Sequence, residues 1–280
     1  MNRKLNHYLL SACILFICHS LNAQSYDKWI ESSFNYLEEN KLDSAEIALK
    51  NALKEEPNNP INSFLFNNLG TIQRRQGKNT EALESYTLSL NRFPKNKTFL
   101  SARASLFTEI GQFQSALIDY NTLLEGDDDD MEALYQRGLL FLSIKNFEMA
   151  EKDFAKMLEL NPTSLYAHLG YASFYKITEN YNEAEKTYNY LLDKEPENSV
   201  VYAGRAELYL LMEKPSKVIS DINNAIRFSE GEEKNSFLYI IRAKARILLH
   251  EKKSAAEDID KAISFGYDSV EAESLRKFIK

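Results

Sequence analysis

The sequence predicts an all-α superhelix, a solenoid of about seven helical hairpins closed by a C-terminal capping helix. Three observations support this fold class. The 280 residues include only six prolines and nine glycines, and 44% of them are apolar and 27% charged. This composition favours many helices with short connections. A skeleton of small and aromatic residues recurs at a spacing near 34 residues. Within each block these residues stand three or four positions apart, so they share a helical face.

The first element, residues 1–23, is typical of a cleavable secretory signal. Arg3 and Lys4 precede a run of ten apolar residues, and a short polar stretch ends at the small residue Ala23. The apolar run is too short to anchor the chain, and no other stretch approaches the ~20 uninterrupted apolar residues of a transmembrane helix. We therefore expect cleavage after Ala23, a periplasmic or secreted product, and no transmembrane segment in the mature chain.

A bacterial lipoprotein signal is the alternative, because Leu10-Ser11-Ala12-Cys13 could place a lipid anchor at Cys13. Most of the apolar run, from Ile14 to Cys18, follows Cys13, and this argues against it. With cleavage after Ala23 both cysteines leave with the leader. The mature chain then has no disulfide, no thiol nucleophile and no thiolate metal site.

The charge of the chain argues against a nucleic-acid partner. The formal net charge is −7, and removal of a leader that contains two basic residues and no acidic ones takes it to −9. Proteins that bind duplex nucleic acid draw affinity from a basic surface that neutralises phosphates. We expect the acidic charge to serve solubility instead.

The body of the chain is a series of related blocks. The second shows the pattern most completely, with an aromatic residue, two small residues, a second aromatic residue and a closing proline at Phe66, Gly70, Ala82, Tyr86 and Pro94. Steps of 34 keep the register through five blocks, and the outer two are offset by 37. The predicted repeats are 26–59, 63–96, 97–130, 131–164, 165–198, 199–232 and 236–269, with a capping helix over 270–280.

Turn residues fall between the helical segments, within each pair at Asn40, Gly77, Gly111, Asn146 and Asn180, and between pairs at Pro57, Pro94, Pro162 and Pro196. Each block is therefore expected to form one helical hairpin. A single hairpin cannot bury its own apolar face, so the hairpins must stack, and the stack offers a long concave surface. No stretch resembles a linker, so residues 24–280 are predicted to form one continuous domain.

This pattern resembles that of the tetratricopeptide repeat family, over about residues 26–269. The resemblance implies a protein or peptide partner held in a concave groove, lined by the second, fifth, sixth, ninth, twelfth and thirteenth residues of each repeat. The basic pair with which some members clamp a terminal carboxylate is missing, since Phe64 and Asn68 stand at the matching positions. The candidate groove residues are Asn67, Asn68, Arg74, Tyr135, Gln136, Leu139, Tyr166 and Leu169.

The groove positions change in character along the chain. They are polar up to Thr108 and mainly apolar from Tyr135 onward, where the apolar stripe also includes Leu142, Val200, Leu210, Leu211, Phe237, Ile240 and Ile241. An exposed apolar stripe is typical of a binding surface. The alternative is that tight curvature of the solenoid or the C-terminal helix covers part of it.

Few residues are candidates for catalysis or metal binding. The acidic run Asp127–Asp130 lacks the ligand spacing of a helix-loop-helix calcium site, and Asp130 is better interpreted as a helix N-cap. His168 is predicted to pack in its repeat and His250 to lie in a surface turn. No catalytic, phosphate-binding or metal-ligand motif is found, so neither an enzyme nor a cofactor is predicted.

Together these features predict an extracytoplasmic scaffold or adaptor that binds an extended segment or a helix of a partner protein. The alternative is a structural subunit of an envelope assembly that associates with itself through exposed repeat faces or its ends.

Overall fold

The computed structural model describes residues 21–229 and 235–279, and every regular element within these ranges is helical. Fourteen helices form seven hairpins, which confirms the predicted fold class. Residues 1–20 of the predicted leader lie outside the described residues. The helices are α1 (Leu21–Glu38), α2 (Leu42–Glu55), α3 (Asn62–Arg75), α4 (Asn79–Leu90), α5 (Lys97–Glu109), α6 (Phe113–Gly126), α7 (Met131–Ser143), α8 (Phe147–Leu160), α9 (Leu165–Ile177), α10 (Tyr181–Lys194), α11 (Ser199–Leu211), α12 (Pro215–Phe228), α13 (Ser236–Leu248), α14 (Lys252–Ser264) and the short α15 (Ser269–Ser274).

The helices group into two compact units. The N-terminal unit holds α1 to α8 and ends at Leu160, and the C-terminal unit holds α9 to α15 and begins at Asn161. Within each unit the two helices of a hairpin pack on each other, and each hairpin then packs on the next one. This arrangement buries the apolar face that a lone hairpin leaves open. The single continuous domain over residues 24–280 stays a prediction.

Small residues in the first helix of a hairpin make room for aromatic rings of the second. A Cβ atom added to Gly138 would lie 2.5 Å from the ring of Phe154, and one added to Gly70 would lie 2.8 Å from the ring of Tyr86. Both rings are buried, as are the equivalent Tyr120 and Tyr188. The small and aromatic pattern is therefore a close contact between the two helices of each hairpin.

Each hairpin turn contains one residue with left-handed backbone geometry, and these residues follow the repeat register. Their φ angles lie between 54° and 76°, at Asn40, Gly77, Gly111, Lys145, Glu179, Glu213 and His250. In the fourth repeat the N–H of Lys145 donates to Leu142 O at 3.0 Å and the N–H of Asn146 donates to Phe141 O at 2.8 Å. The left-handed residue in two turns thus precedes the predicted Asn146 and Asn180 by one position.

Four hairpins are held by an arginine of the first helix that makes two hydrogen bonds to an aspartate 16 residues later, over 2.6–2.9 Å. A further guanidinium nitrogen donates to a Thr or Asn side chain of the preceding hairpin. Each arginine therefore joins three helices. The pairs are Arg103 with Asp119, Arg137 with Asp153, Arg205 with Asp221, and Arg242 with Asp258. In the fifth repeat Tyr171 and Thr187 occupy the two positions.

The C-terminal segment caps the last hairpin but is less regular than predicted. Helix α15 ends at Ser274 and continues as a 3₁₀ turn, Leu275–Phe278. Ala272 is fully buried, and Leu275 and Ile279 pack against a cluster that includes Ile240 and Ile259. Across the helices that the structure describes, none has both the length and the apolar character required to cross a bilayer.

Candidate functional site

The predicted groove residues lie on the first helices of the hairpins, which are α3, α5 and α7 in the N-terminal unit and α9, α11 and α13 in the C-terminal unit. Of the eight candidates, six belong to the N-terminal unit and only Tyr166 and Leu169 to the C-terminal unit.

In the N-terminal unit one predicted polar anchor, Arg74, is engaged within the chain. The guanidinium of Arg74 on α3 donates through Nε to Glu109 of α5 at 2.7 Å and makes a second contact to the same carboxylate. This hydrogen bonding raises the pKa of Arg74. Asn67 and Asn68 are half-buried, and the buried Oδ1 of Asn67 has no hydrogen-bond partner within the described ranges. Arg74 is thus a link between two hairpins rather than a free cation.

Tyr135, Gln136 and Leu139 on α7 are half-buried side chains at the fifth, sixth and ninth positions of the fourth repeat. The ring of Tyr135 lies 6.4 Å from the ring of Phe154. Leu142, at the twelfth position, is buried. The structure thus places the three candidates together on one helix face, while most of the area of Leu142 is taken up by packing.

In the C-terminal unit one candidate is exposed and the other is not. The side chain of Tyr166 is 60% exposed, whereas Leu169 is 8% exposed and belongs to a core cluster with Ala172, Tyr188 and Leu208. Little of the Leu169 side chain is therefore accessible, and its role as a contact residue stays a prediction. Ile240 and Ile241 are buried as well, Ile240 in the cluster that the capping segment packs against. The fifth and sixth positions of α9 and α13 therefore serve core packing.

On the first helices of the C-terminal unit, the exposed large apolar residues stand at the second and thirteenth positions instead. The second-position row is Tyr166, Val200 and Phe237, which are 60%, 62% and 41% exposed. The thirteenth-position row is Ile177, Leu211 and Leu248, which are 44%, 54% and 49% exposed. Ile177 and Leu248 were missed by the sequence reasoning, although the register of Leu211 would have pointed to both.

The two rows flank a polar strip. Eleven residues separate the second from the thirteenth position, which places the rows about 16 Å apart along each helix. Between them the ammonium of Lys176 on α9 contacts the carboxylate of Glu207 on α11 at 2.6 Å. Lys244 of α13 stands at the same repeat position as Glu207 and is half-buried. The face as a whole is amphipathic.

The acidic run of the N-terminal unit has a structural role. Asp130 Oδ1 accepts hydrogen bonds from the N–H groups of Glu132 and Ala133 at 3.1 and 3.2 Å, which confirms Asp130 as the N-cap of α7. Its other oxygen accepts from Lys97 at 2.8 Å, and this bond raises the pKa of the lysine. Over residues 21–229 and 235–279, no group of three or more His, Cys, Asp or Glu side chains is arranged to hold a metal ion.

Both histidines of the described ranges are structural. Nε2 of His168 lies 3.1 Å from Pro162 O, and the imidazole lies 4.8 Å from the ring of Tyr190. One repeat later the hydroxyl of Tyr202 donates to Pro196 O at the same distance. His168 therefore packs in its repeat, as predicted. His250 is the exposed left-handed residue of the last hairpin turn, which confirms its surface position.

Comparisons with known proteins agree with this architecture. The family model described as tetratricopeptide repeat matches residues 132–164. The crystal structure of a tetratricopeptide repeat protein from Parabacteroides merdae ATCC 43184 is 45% identical, with a TM-score of 0.77, and the match covers 91% of this chain and 99% of that one.

Two less similar structures share the fold alone. PilW, a type IV pilus biogenesis factor, is 18% identical over 79% of this chain and 100% of its own, with a TM-score of 0.58. PilF from Pseudomonas aeruginosa is 19% identical over 76% of this chain and 96% of its own, with a TM-score of 0.54. A comparison with curated proteins finds no match.

Proposed function

Because the chain belongs to the tetratricopeptide repeat family, whose fold is a scaffold for protein–protein interaction, we propose that it binds a segment of a partner protein. The binding surface we propose is the first-helix face of the C-terminal unit. The partner segment is extended or helical and carries apolar side chains.

This proposal rests on the exposure of the two apolar rows. Six large apolar side chains at equivalent positions of three successive hairpins are each more than 40% exposed. Single exposed apolar residues are common on protein surfaces, but aligned rows mark interaction sites. The face therefore supports a role in binding.

The spacing of the rows favours one elongated occupant. An α-helix with its side chains is about 10–12 Å across, so one helix or one extended strand fits between rows about 16 Å apart. Its apolar side chains would cover both rows, while the paired Lys176 and Glu207 lie beneath it. Lys244 is a cation that a partner carboxylate can reach.

Site-specific photocrosslinking tests this surface. A photoreactive residue at Val200 or Leu211 should capture the same partner from native envelope extract. The control positions are Ile47 and Ile118, which are 59% and 57% exposed but lie in the N-terminal unit. The double variant Val200→Ser/Leu211→Ser should weaken binding of that partner at least about tenfold, because two buried contacts are lost.

The matched control Ile47→Ser/Ile118→Ser should bind like the wild type. Equal capture at the control positions, or unchanged affinity of a folded Val200→Ser/Leu211→Ser variant, would place the binding surface elsewhere.

We further propose that the scaffold works outside the cytoplasm. The supporting feature is the leader at residues 1–23, with its basic start, short apolar run and small residue at Ala23. Mass spectrometry of the protein isolated from native cells should find an N-terminus at Gln24. An N-terminus at a lipidated Cys13 would show that the exported protein is anchored by a lipid rather than released. An unprocessed chain in the cytosol would contradict export.

A further inference from the structure

A second exposed apolar surface lies at one edge of the N-terminal unit, where the loop between α4 and α5 meets the start of α3. Ile61, Phe64 and Phe93 are 46%, 36% and 38% exposed. The ring of Phe64 lies 5.9 Å from the ring of Phe93, and it also packs edge-on against the buried Phe99 at 5.2 Å. Ile61 stands one helical turn before Phe64, which places its exposed side chain on the same side of α3 as the ring of Phe64.

Two cations flank this patch. Arg92 and Lys95 lie on either side of Phe93-Pro94 and are exposed. Neither makes an ion pair with any residue of the described ranges. Together with Ile61, Phe64 and Phe93 they form what is called here the edge patch, an apolar centre with an uncompensated positive rim in a chain of net charge −7.

The next loop along the same edge has the opposite charge. This acidic loop, residues 126–130, adjoins the edge patch because Lys97, at the start of α5, contacts Asp130 at 2.8 Å. Lys156 contacts both Asp128 and Asp129, at 2.7 and 3.0 Å, so one ammonium serves two carboxylates. The exposed Asp127 adds further negative charge.

We infer that this edge of the N-terminal unit pairs with the same edge of a second copy of the chain. A two-fold axis between the copies places the edge patch of each copy opposite the acidic loop of the other, because the two surfaces are neighbours on one edge. Both charge contacts are then attractive, and the apolar centres are covered. The surface is distinct from the proposed partner-binding face.

Charge complementarity decides between this occupant and an anionic membrane. A phenylalanine flanked by Arg92 and Lys95 suits a lipid interface, but the acidic loop beside it would be pressed against the same negative surface. A second copy offers negative charge to the cations and positive charge to the acids. The patch is small compared with the ~800 Å² per partner of a stable interface, so the dimer is weak and sensitive to salt.

Sedimentation velocity of the full chain, at low salt and over a concentration series, tests the inference. The wild type should form a dimer reversibly, and high salt should weaken it. Arg92→Glu/Lys95→Glu makes both surfaces acidic, and Asp128→Lys/Asp129→Lys makes both basic. Each variant alone should dimerise at least about tenfold more weakly, because like charges then face each other. Asp130 is kept in order to preserve the N-cap of α7.

Mixing the two variants provides the sharpest measurement. In the mixed pair, both contacts are again between opposite charges, so an equimolar mixture should form a heterodimer about as readily as the wild type dimerises. Lys28→Glu/Lys54→Glu changes net charge by the same amount as the acidic variant at exposed sites of the same unit. It should dimerise like the wild type, and thermal unfolding should show that all variants are folded.

A wild type that stays monomeric at every concentration would overturn the inference, as would dimerisation that both charge reversals leave unchanged. Failure of the mixture to associate would do the same. Co-sedimentation of a monomeric wild type with anionic phospholipid vesicles would assign the edge patch to a membrane instead. None of these outcomes affects crosslinking at Val200, so the two proposals fail independently.

Discussion

The two units build the same hairpin but expose different chemistry on their first helices. In the N-terminal unit the thirteenth positions hold Arg75, Glu109 and Ser143, whereas in the C-terminal unit they hold Ile177, Leu211 and Leu248. Glu109 forms an ion pair with Arg74, while the apolar row remains exposed. The hairpin core therefore does not constrain these positions, which are available for function.

In both units only some of the hairpins are linked by an arginine and an aspartate. The N-terminal unit has arginine and aspartate pairs in its third and fourth repeats, and the C-terminal unit has them in its sixth and seventh. The fifth repeat, which opens the C-terminal unit, carries Tyr171 and Thr187 instead. Since this repeat still folds into the same hairpin, the pair is not required for the fold. Replacing both residues together should thus cost less than removing one.

The largest expected effects come from breaking such pairs. Asp153→Thr should lower the free energy of unfolding of the N-terminal unit by about 3 kcal/mol, because it leaves the guanidinium of Arg137 mostly buried without its carboxylate. The double variant Arg137→Tyr/Asp153→Thr copies the fifth repeat and should lose less than the single variant. Amide hydrogen exchange in α7 and α8 of the full chain measures both losses.

The equivalent pair of the C-terminal unit allows a direct comparison. Asp258 accepts hydrogen bonds from Arg242 and also from Arg246, so Asp258→Thr removes the carboxylate partner of Arg242 and one of the two carboxylates that Arg246 contacts. The loss of unfolding free energy in Asp258→Thr should exceed that in Asp153→Thr, and hydrogen exchange should detect it in α13 and α14. Equal losses in the single and double variants of the Arg137 pair would show that an unpaired charge is not the cause.

A smaller effect is expected from acid, and it too differs between the units. Glu46 on α2 is buried, which opposes ionisation, but hydrogen bonds from Lys50, Lys78 and Gln73 prevail and lower its pKa from 4.5 to about 2. A depressed carboxyl pKa stabilises the fold above the unfolded value. That stabilisation, about 2 kcal/mol after allowance for the partly exposed lysines, is lost as pH falls from 4.5 towards 2.

Denaturant unfolding of wild type and Glu46→Gln as a function of pH measures this contribution. The two proteins should differ most near neutral pH and converge in acid. Glu185 occupies the same repeat position in the C-terminal unit, and its pKa is also lowered, by hydrogen bonds from Tyr209 and Lys217 that outweigh burial. Its side chain is 21% exposed against 7% for Glu46, so Glu185→Gln should change the profile less. A pH-independent difference for Glu46→Gln would rule out its charge as the source.

The sequence predicted the hairpins well because their determinants are local and periodic. Gly138 and Phe154 contact each other within one repeat, and the same spacing recurs along the chain. The exposure of the candidate groove residues could not be predicted in the same way, because exposure depends on packing between repeats. Leu169 and Ile241 are apolar like Leu211, but they belong to core clusters that include residues of a neighbouring hairpin. Likewise, the pairing of Arg74 with Glu109 joins two repeats, and no residue pattern within either repeat predicts it.

The smallest expected effect concerns the hairpin turns. The repeat register places a left-handed residue in each turn, but this residue is not always a glycine. Lys145 has a left-handed φ of 60°, at the position that Gly77 and Gly111 occupy in earlier turns of the same unit. An L side chain costs about 1 kcal/mol in this conformation. Lys145→Gly should therefore stabilise the unit by up to that amount, less the greater entropy of glycine in the unfolded chain.

The reverse change, Gly77→Ala, should destabilise the unit by about 1 kcal/mol through strain alone, because a Cβ added to Gly77 meets no atom within 4 Å. Asn146→Gly, one position beyond Lys145, serves as the control and should bring no gain. Chemical denaturation of the three variants compares them. A gain for Asn146→Gly in place of Lys145→Gly would mean that residue type, rather than the repeat register, sets the left-handed position.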